Sequence, residues 1–410
     1  MKSQEIDRDD APQQFEPLMP SASKLEPLLE QASDLVREAA VLGASAAPAA
    51  RSELRALLRS MNSYYTNRIE GEQTRPSEIE RALLQDYSGD ADLARRQRLA
   101  VAHIETEQQC EDRLGGLLAE SREAAPRWLY SAECVQWLHE RLFSGLGEQD
   151  LRLADGSLMV PGRFRERQVA VGRHEAPLHT TLDAFVSRWA QVYGSVRRGE
   201  ASIVAAMASH HRLAWAHPFA DGNGRVCRLH THLVLHAAGL THGLWSPLRG
   251  FARSQVRYKQ LLQAADEHRQ GDLDGRGNLT EAGFVAWVGY ALETCLDQAR
   301  FIRQMLDVAD IQGRIDAALS FEQSARQSGV RREALRPLHY LFATQTELAR
   351  ADFKAMTGLG DRLATGLVSS LIARGFLRSD TPYGKLRFAV PQHALRFYFP
   401  NLWPEAEAEV

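Results

Sequence analysis

One histidine, one aspartate, one asparagine, two glycines and two arginines fall in a single stretch, His217-Pro218-Phe219-Ala220-Asp221-Gly222-Asn223-Gly224-Arg225-Val226-Cys227-Arg228. These residue types suit phosphoryl or nucleotidyl transfer, in which positioning and charge stabilisation supply most of the catalysis. His217 is a base that can take a proton from an attacking hydroxyl. Asp221 is a hard oxygen ligand suited to Mg²⁺ bridging a nucleotide's phosphates. Asn223 can hydrogen-bond a phosphate oxygen without adding charge. Arg225 and Arg228 lie three apart, so both can lean toward one anion.

The same stretch dictates its own geometry. Pro218 disfavours helical backbone at His217, so the preceding helix should stop there. Gly222 and Gly224 allow a sharp turn and close approach to a ligand. Val226, Leu229, Leu233, Val234 and Ala237 recur at helical spacing, which predicts a new helix from near Asn223. Free N–H groups at that helix start form a phosphate cradle.

Every specified position fits the pattern H-x-F-x-D/E-G-N-G-R-x-x-R, and on these residues the chain resembles the Fic family. The resemblance implies a mainly α fold: a Fic-type helical core with a β-hairpin flap. It also implies transfer of AMP from ATP to a Ser, Thr or Tyr hydroxyl of a protein target, with Mg²⁺. By the same resemblance His217 is the general base, Phe219 packs inward to anchor the loop, and Asp221 holds the metal. Gly222, Asn223 and Gly224 then form the anion hole, Arg225 contacts the phosphates and Arg228 holds the γ-phosphate. AMP removal by the same site, self-modification and a nucleotide-responsive DNA-binding regulator stay open. The intact glycines argue against phosphate-only transfer.

Thr66-Asn67-Arg68-Ile69-Glu70-Gly71 fits the family's inhibitory pattern S/T-x-x-x-E-G/N. Leu54, Leu57, Leu58, Met61, Tyr65 and Ile69 have helical spacing, and Gly71 is a plausible helix C-cap. The resemblance implies that Glu70 pairs with Arg228 and displaces the γ-phosphate. A carboxylate and a phosphate compete for one guanidinium.

The rest of the chain must hold these pieces. With 410 residues, two or three domains are expected. Composition (44% hydrophobic, 25% charged) is that of a globular protein, and a net charge of −3 implies no general affinity for polyanions. No run is apolar enough to span a membrane, and the polar N-terminus is unlike a secretory signal. Four scattered cysteines, Cys110, Cys134, Cys227 and Cys295, suit a reducing cytoplasm.

The expected order is a mobile arm (1–20), an N-terminal helical region carrying the inhibitory helix (21–109), the catalytic core (110–297), a helical linker (298–329) and a winged-helix domain (330–410). The helical faces of the N-terminal region suit a homodimer. Gln168 to Gly172 alternate as a hairpin does, after Pro161-Gly162-Arg163-Phe164-Arg165, and by resemblance form a flap that aligns the target segment. Tyr258 reads equally as an adenine contact and as a core aromatic. His232 and His236 lie one helical turn apart, yet no carboxylate or cysteine at suitable spacing completes a metal site, so the histidines near the motif are read as structural. In 331–400, eleven Lys/Arg face five Asp/Glu. Helix, helix, turn, helix and wing there resemble a winged helix, serving either DNA or docking and dimerisation.

Overall fold

A computed structural model describes residues 11–45, 48–153, 155–172, 174–195, 199–306, 308–324, 328–344 and 346–399. Helices dominate: α1 (Ala22–Ser45), α2 (Pro48–Ile69), α3 (Pro76–Leu83), α4 (Ala91–Glu120), α5 (Ala124–Leu129) and α6 (Ala132–Phe143). A two-stranded antiparallel hairpin, β1 (Ala170–Val171) and β2 (His174–Glu175), precedes α7 (Leu182–Ser195), α8 (Glu200–Ala216) and α9 (Asn223–Ala237). Then come α10 (Leu248–Arg253), α11 (Gln255–Asp266), α12 (Glu281–Met305), α13 (Val308–Ser324), α14 (Leu335–Thr344), α15 (Arg350–Thr357) and α16 (Asp361–Ala373). A second hairpin, β3 (Leu377–Arg378) and β4 (Arg387–Phe388), and the short α17 (Leu395–Tyr398) end the described chain.

The centre is α8. Almost every residue from Ile203 to Ala216 is buried, so the helix has no solvated stripe and must be enclosed on all sides. It packs against α1, α7, α9 and α12. The loop between α8 and α9 carries the motif, and α2 and α4 lie against α9. The site is thus built on rigid helix ends.

Several expectations are corrected. Residues 11–20 are no mobile arm; residues 1–10 lie outside the described residues. Phe15 is fully buried, edge-on to Phe185 with ring centroids 5.0 Å apart. Arg212 donates to the Pro17 carbonyl at 2.9 and 3.0 Å, and Tyr193 Oη to the Leu18 carbonyl at 2.7 Å. Burying aromatic area and satisfying a buried guanidinium outweigh the entropy that a polar composition suggested. The boundaries expected at 109/110 and 297/298 fall inside α4 and α12, which are continuous. The expected linker contains α13, whose Ile311, Ile315 and Leu319 are buried and which packs on α14 and α17.

Among the described residues no helix is long and apolar enough to cross a membrane. All four cysteines are buried free thiols.

Candidate functional site

Helix α8 ends at Ala216, and His217 takes left-handed backbone with φ 47° and ψ 60°. Extended geometry was the expectation before proline. The left-handed form costs a non-glycine residue about 1–2 kcal/mol, so its surroundings must hold it. Arg165, 4% exposed, does this. Its Nε donates to the His217 carbonyl at 2.8 Å, Nη1 to the Arg167 carbonyl at 2.9 Å and Nη2 to the Pro177 carbonyl at 2.5 Å. Its own N–H donates to the Pro218 carbonyl at 2.9 Å. One guanidinium therefore ties His217 to the hairpin's approach. Replacing Arg165 with Ala leaves three carbonyls without donors, at about 1–3 kcal/mol for each that stays buried. Arg165→Ala should lower kcat at least about tenfold with a smaller change in KM. Arg165→Lys should not restore it, because one ammonium cannot span three acceptors. Steady-state kinetics in an active background check this.

The imidazole of His217 is neutral at physiological pH. Burial pushes its pKa down to about 4, helped by His174 and Arg165, so it is in the form a base needs. Phe219 is fully buried and stacks on His139 with centroids 3.9 Å apart. It anchors the loop and does not line the cavity over the motif. His139 accepts from Gly162 N–H at Nδ1 (2.8 Å), so its Nε2 carries the proton and donates to the Asp221 carbonyl (3.1 Å). Gly222 has φ 79°, and a Cβ there would overlap the Phe143 ring.

The side chain of Asn223 is not directed at a phosphate. Its Oδ1 accepts from Phe219 N–H and its Nδ2 donates to the Phe219 carbonyl, both at 2.9 Å. It closes the loop, and only its backbone belongs to the cradle at the start of α9. Asp221 is exposed, and one of its oxygens accepts from Gly222 N–H at 2.6 Å. The other oxygen carries no bond within the loop. Mg²⁺ is usually held by one or two carboxylates plus phosphate oxygens, so this single carboxylate fits the ion.

Helix α2 brings the second motif against the arginines. Arg228, 1% exposed, donates to the Glu70 carboxylate, to Thr66 Oγ1 at 2.8 Å and to the Thr66 carbonyl at 3.2 Å. Arg225 Nε donates to Asn67 Oδ1 at 3.0 Å. Arg225 is 5% exposed and is not on the cavity wall in this conformation. Burial alone would raise the Glu70 carboxyl, but Arg228 and then Arg225 outweigh it and hold the pKa below the ordinary value. A Cβ on Gly224 would lie 2.5 Å from Glu70 Oε1, so glycine is what lets this contact form.

A cavity of about 510 Å³ opens over these groups. His217, Asp221, Gly222, Asn223, Gly224, Arg228, Glu70 and Tyr258 all line it, with Val171 and His174 from the hairpin on one wall. Tyr258 lines the cavity but packs as a core aromatic: its ring lies on Phe251 and Trp287, and its hydroxyl is 3.0 Å from His210 Nε2. Lys259, which composition and spacing did not single out, adds a cation. Thr66 and Asn67 stood in the quoted pattern without roles, and Arg165 and His139 had no signal beyond their residue types.

Residues 129–235 match the Fic/DOC family. The matched segment runs from the end of α5 to near the end of α9, so it contains the hairpin and the loop of His217 but not α2. A protein adenylyltransferase Fic from Culex quinquefasciatus is 36% identical over 139 residues, 33% of this chain and 24% of the relative. Its counterpart from Drosophila melanogaster is 33% identical over 138 residues, 33% of this chain and 25% of the relative. The chain thus spans about a quarter of the length of the curated relatives it matches. A Fic family protein from Desulfovibrio desulfuricans G20 shares the fold. It has a TM-score of 0.52 and 16% identity, and the match covers 91% of this chain and 98% of that one.

Buried neutral histidines also make the stability of this segment depend on pH. Burial lowers the pKa of His139 and His230 to about 4, and that of His210 well below its ordinary value. Unfolded histidine titrates near 6.5. Their contribution is therefore complete above about pH 6.5 and is lost as pH falls toward 4, because the unfolded chain binds protons first. Tm should be flat from pH 8 to 7 and should drop progressively below 6.5; differential scanning calorimetry checks this.

Proposed function

We propose that the chain transfers AMP from ATP to a hydroxyl side chain of a protein target. The observation that carries this reading is the cavity in which neutral His217, Asp221, the α9 N-terminus and Arg228 converge. His217 takes the acceptor hydroxyl's proton, and the freed oxygen attacks the α-phosphorus. The bond to the β-phosphate oxygen breaks and pyrophosphate leaves. Backbone N–H groups from Gly222 to Gly224 face the developing charge. Arg228, once released from Glu70, holds the terminal phosphate. Asp221 would hold Mg²⁺, which neutralises phosphate charge when bound. The hairpin Ala170–Glu175 presents backbone that can pair with an extended target segment. The adenylyltransferase names of the relatives support the same chemistry.

On this reading the contact of Glu70 with Arg228 restrains the site, because it occupies the guanidinium that the terminal phosphate needs. Label supplied in the α-phosphate of ATP should become protein-bound, and label in the γ-phosphate should not. Transfer of γ-label would replace this reading with phosphoryl transfer.

We also propose that α14 to α16 with β3 and β4 act as a winged-helix unit. Its order of elements and its surplus of Lys and Arg support DNA contact. Duplex binding that weakens steeply with salt is the expected result; no binding at low salt leaves a docking role.

A further inference from the structure

Beneath the inhibitory helix lies a polar cluster that the proposed chemistry does not use. One donor atom from each of Glu107, Glu111 and His232 lies within 4.8 Å of the others, and all three residues are buried. This overturns the expectation that no carboxylate joins His232. Both glutamates come from α4, and with His103 they repeat every four residues on one face. His103 Nδ1 lies 3.7 Å from Glu107 Oε2.

The bonding of this cluster is incomplete. Both ring nitrogens of His103, both of His232, Glu107 Oε2 and Glu111 Oε1 are buried without a hydrogen-bond partner. His103 is 1% exposed and His232 and Glu107 are fully buried. His232 Nε2 lies 3.2 Å from Glu107 Oε1, at ion-pair distance, and this contact lowers the Glu107 pKa and raises that of His232 against their burial. Buried polar atoms of this kind normally find partners, and each left alone is costly. Meanwhile the other carboxylate oxygens are held from α2. Asn62 Nδ2 donates to Glu107 Oε1 at 2.8 Å, and Arg59 donates to Glu111 Oε2 at 2.6 and 3.2 Å. Outer partners that orient carboxylates while leaving one oxygen of each unbonded are a feature of metal centres.

We propose that His103, Glu107, Glu111 and His232 form a buried divalent transition-metal site at the joint of α2, α4 and α9. Two imidazoles with two carboxylates suit Zn²⁺ or a similar ion better than Mg²⁺ or Ca²⁺, which take oxygen ligands. Zn²⁺ holds its ligands at about 2.0–2.2 Å, so the four side chains must draw inward by rotamer change. The site fixes the stem of α2, two helical turns from Glu70. It is separate from the residues that would hold ATP.

The test is metal analysis of the full chain purified without chelator, followed by Zn²⁺ titration of the chelator-treated protein. About one transition-metal ion per chain, or one-to-one Zn²⁺ binding that raises Tm by at least about 5 °C, is expected. Glu107→Gln and His232→Ala should abolish that binding. Should either variant fail to fold, Co²⁺ loaded into the wild-type chain gives a second reading through visible absorption typical of nitrogen and oxygen ligands. Wild-type protein that carries no metal and whose Tm Zn²⁺ leaves unchanged overturns the proposal and makes the cluster an ion network. Binding that persists unchanged in both folded variants overturns it too.

Discussion

Replacing Glu70 with Gly should raise the rate of AMP incorporation by about 10- to 50-fold. Glu70 contributes one charge-assisted hydrogen bond to Arg228, a class worth about 1.5–3 kcal/mol. The Glu70 side chain is one-third exposed, which screens the pair and favours the lower half of that range. Arg228 stays in place after the change, because Thr66 still accepts from its guanidinium at 2.8 and 3.2 Å. It is then free to meet the terminal phosphate. Glu70→Gln should release less, since a neutral amide still occupies the same space and can accept. A fall in activity in Glu70→Gly would mean that the carboxylate serves the reaction, as in water-driven AMP removal. Initial rates with α-labelled ATP separate these outcomes.

Replacing His217 should cost more. His217→Ala is expected to lower transfer by about 10²–10⁴-fold, the usual contribution of a positioned general base. ATP affinity should change little, because Arg228 and the α9 N-terminus are untouched. The pH profile carries a further sign. With its pKa pushed down to about 4, His217 is neutral across the physiological range. In the Glu70→Gly background, kcat/KM should therefore stay level from pH 8 to 6 and fall only in acid. A step centred near 6.5 would place the titrating base elsewhere.

The loop of the site was legible because its residues are local. Pro218, Gly222 and the apolar periodicity from Val226 onward prescribe a helix stop, a turn and a helix start, and α8 and α9 end and begin there. The pairing of Glu70 with Arg228 was reached through the pattern Thr66 to Gly71, since no local rule links residues so far apart. Contacts that depend on tertiary packing stayed invisible. Arg165 looks like any surface arginine until four backbone carbonyls converge on its side chain and N–H. Asn223 was read as a phosphate donor because its chemistry allows it, yet its amide is consumed by Phe219. Residues 11–20 read as a loose arm because their burial lies against Phe185, Trp215 and Arg212, far along the chain. Glu107 and His232 meet for the same reason, through the packing of α4 on α9.

Intact-mass spectrometry of wild type, Glu70→Gly and the double variant Glu70→Gly/His217→Ala, after incubation with ATP and Mg²⁺ and a candidate acceptor extract, tests the central claim most directly. A mass gain of one AMP on the chain or an acceptor, slight in wild type, strong in Glu70→Gly and absent in the double variant, is the predicted result. Equal gain in wild type and Glu70→Gly, or a gain that survives loss of His217, would contradict it.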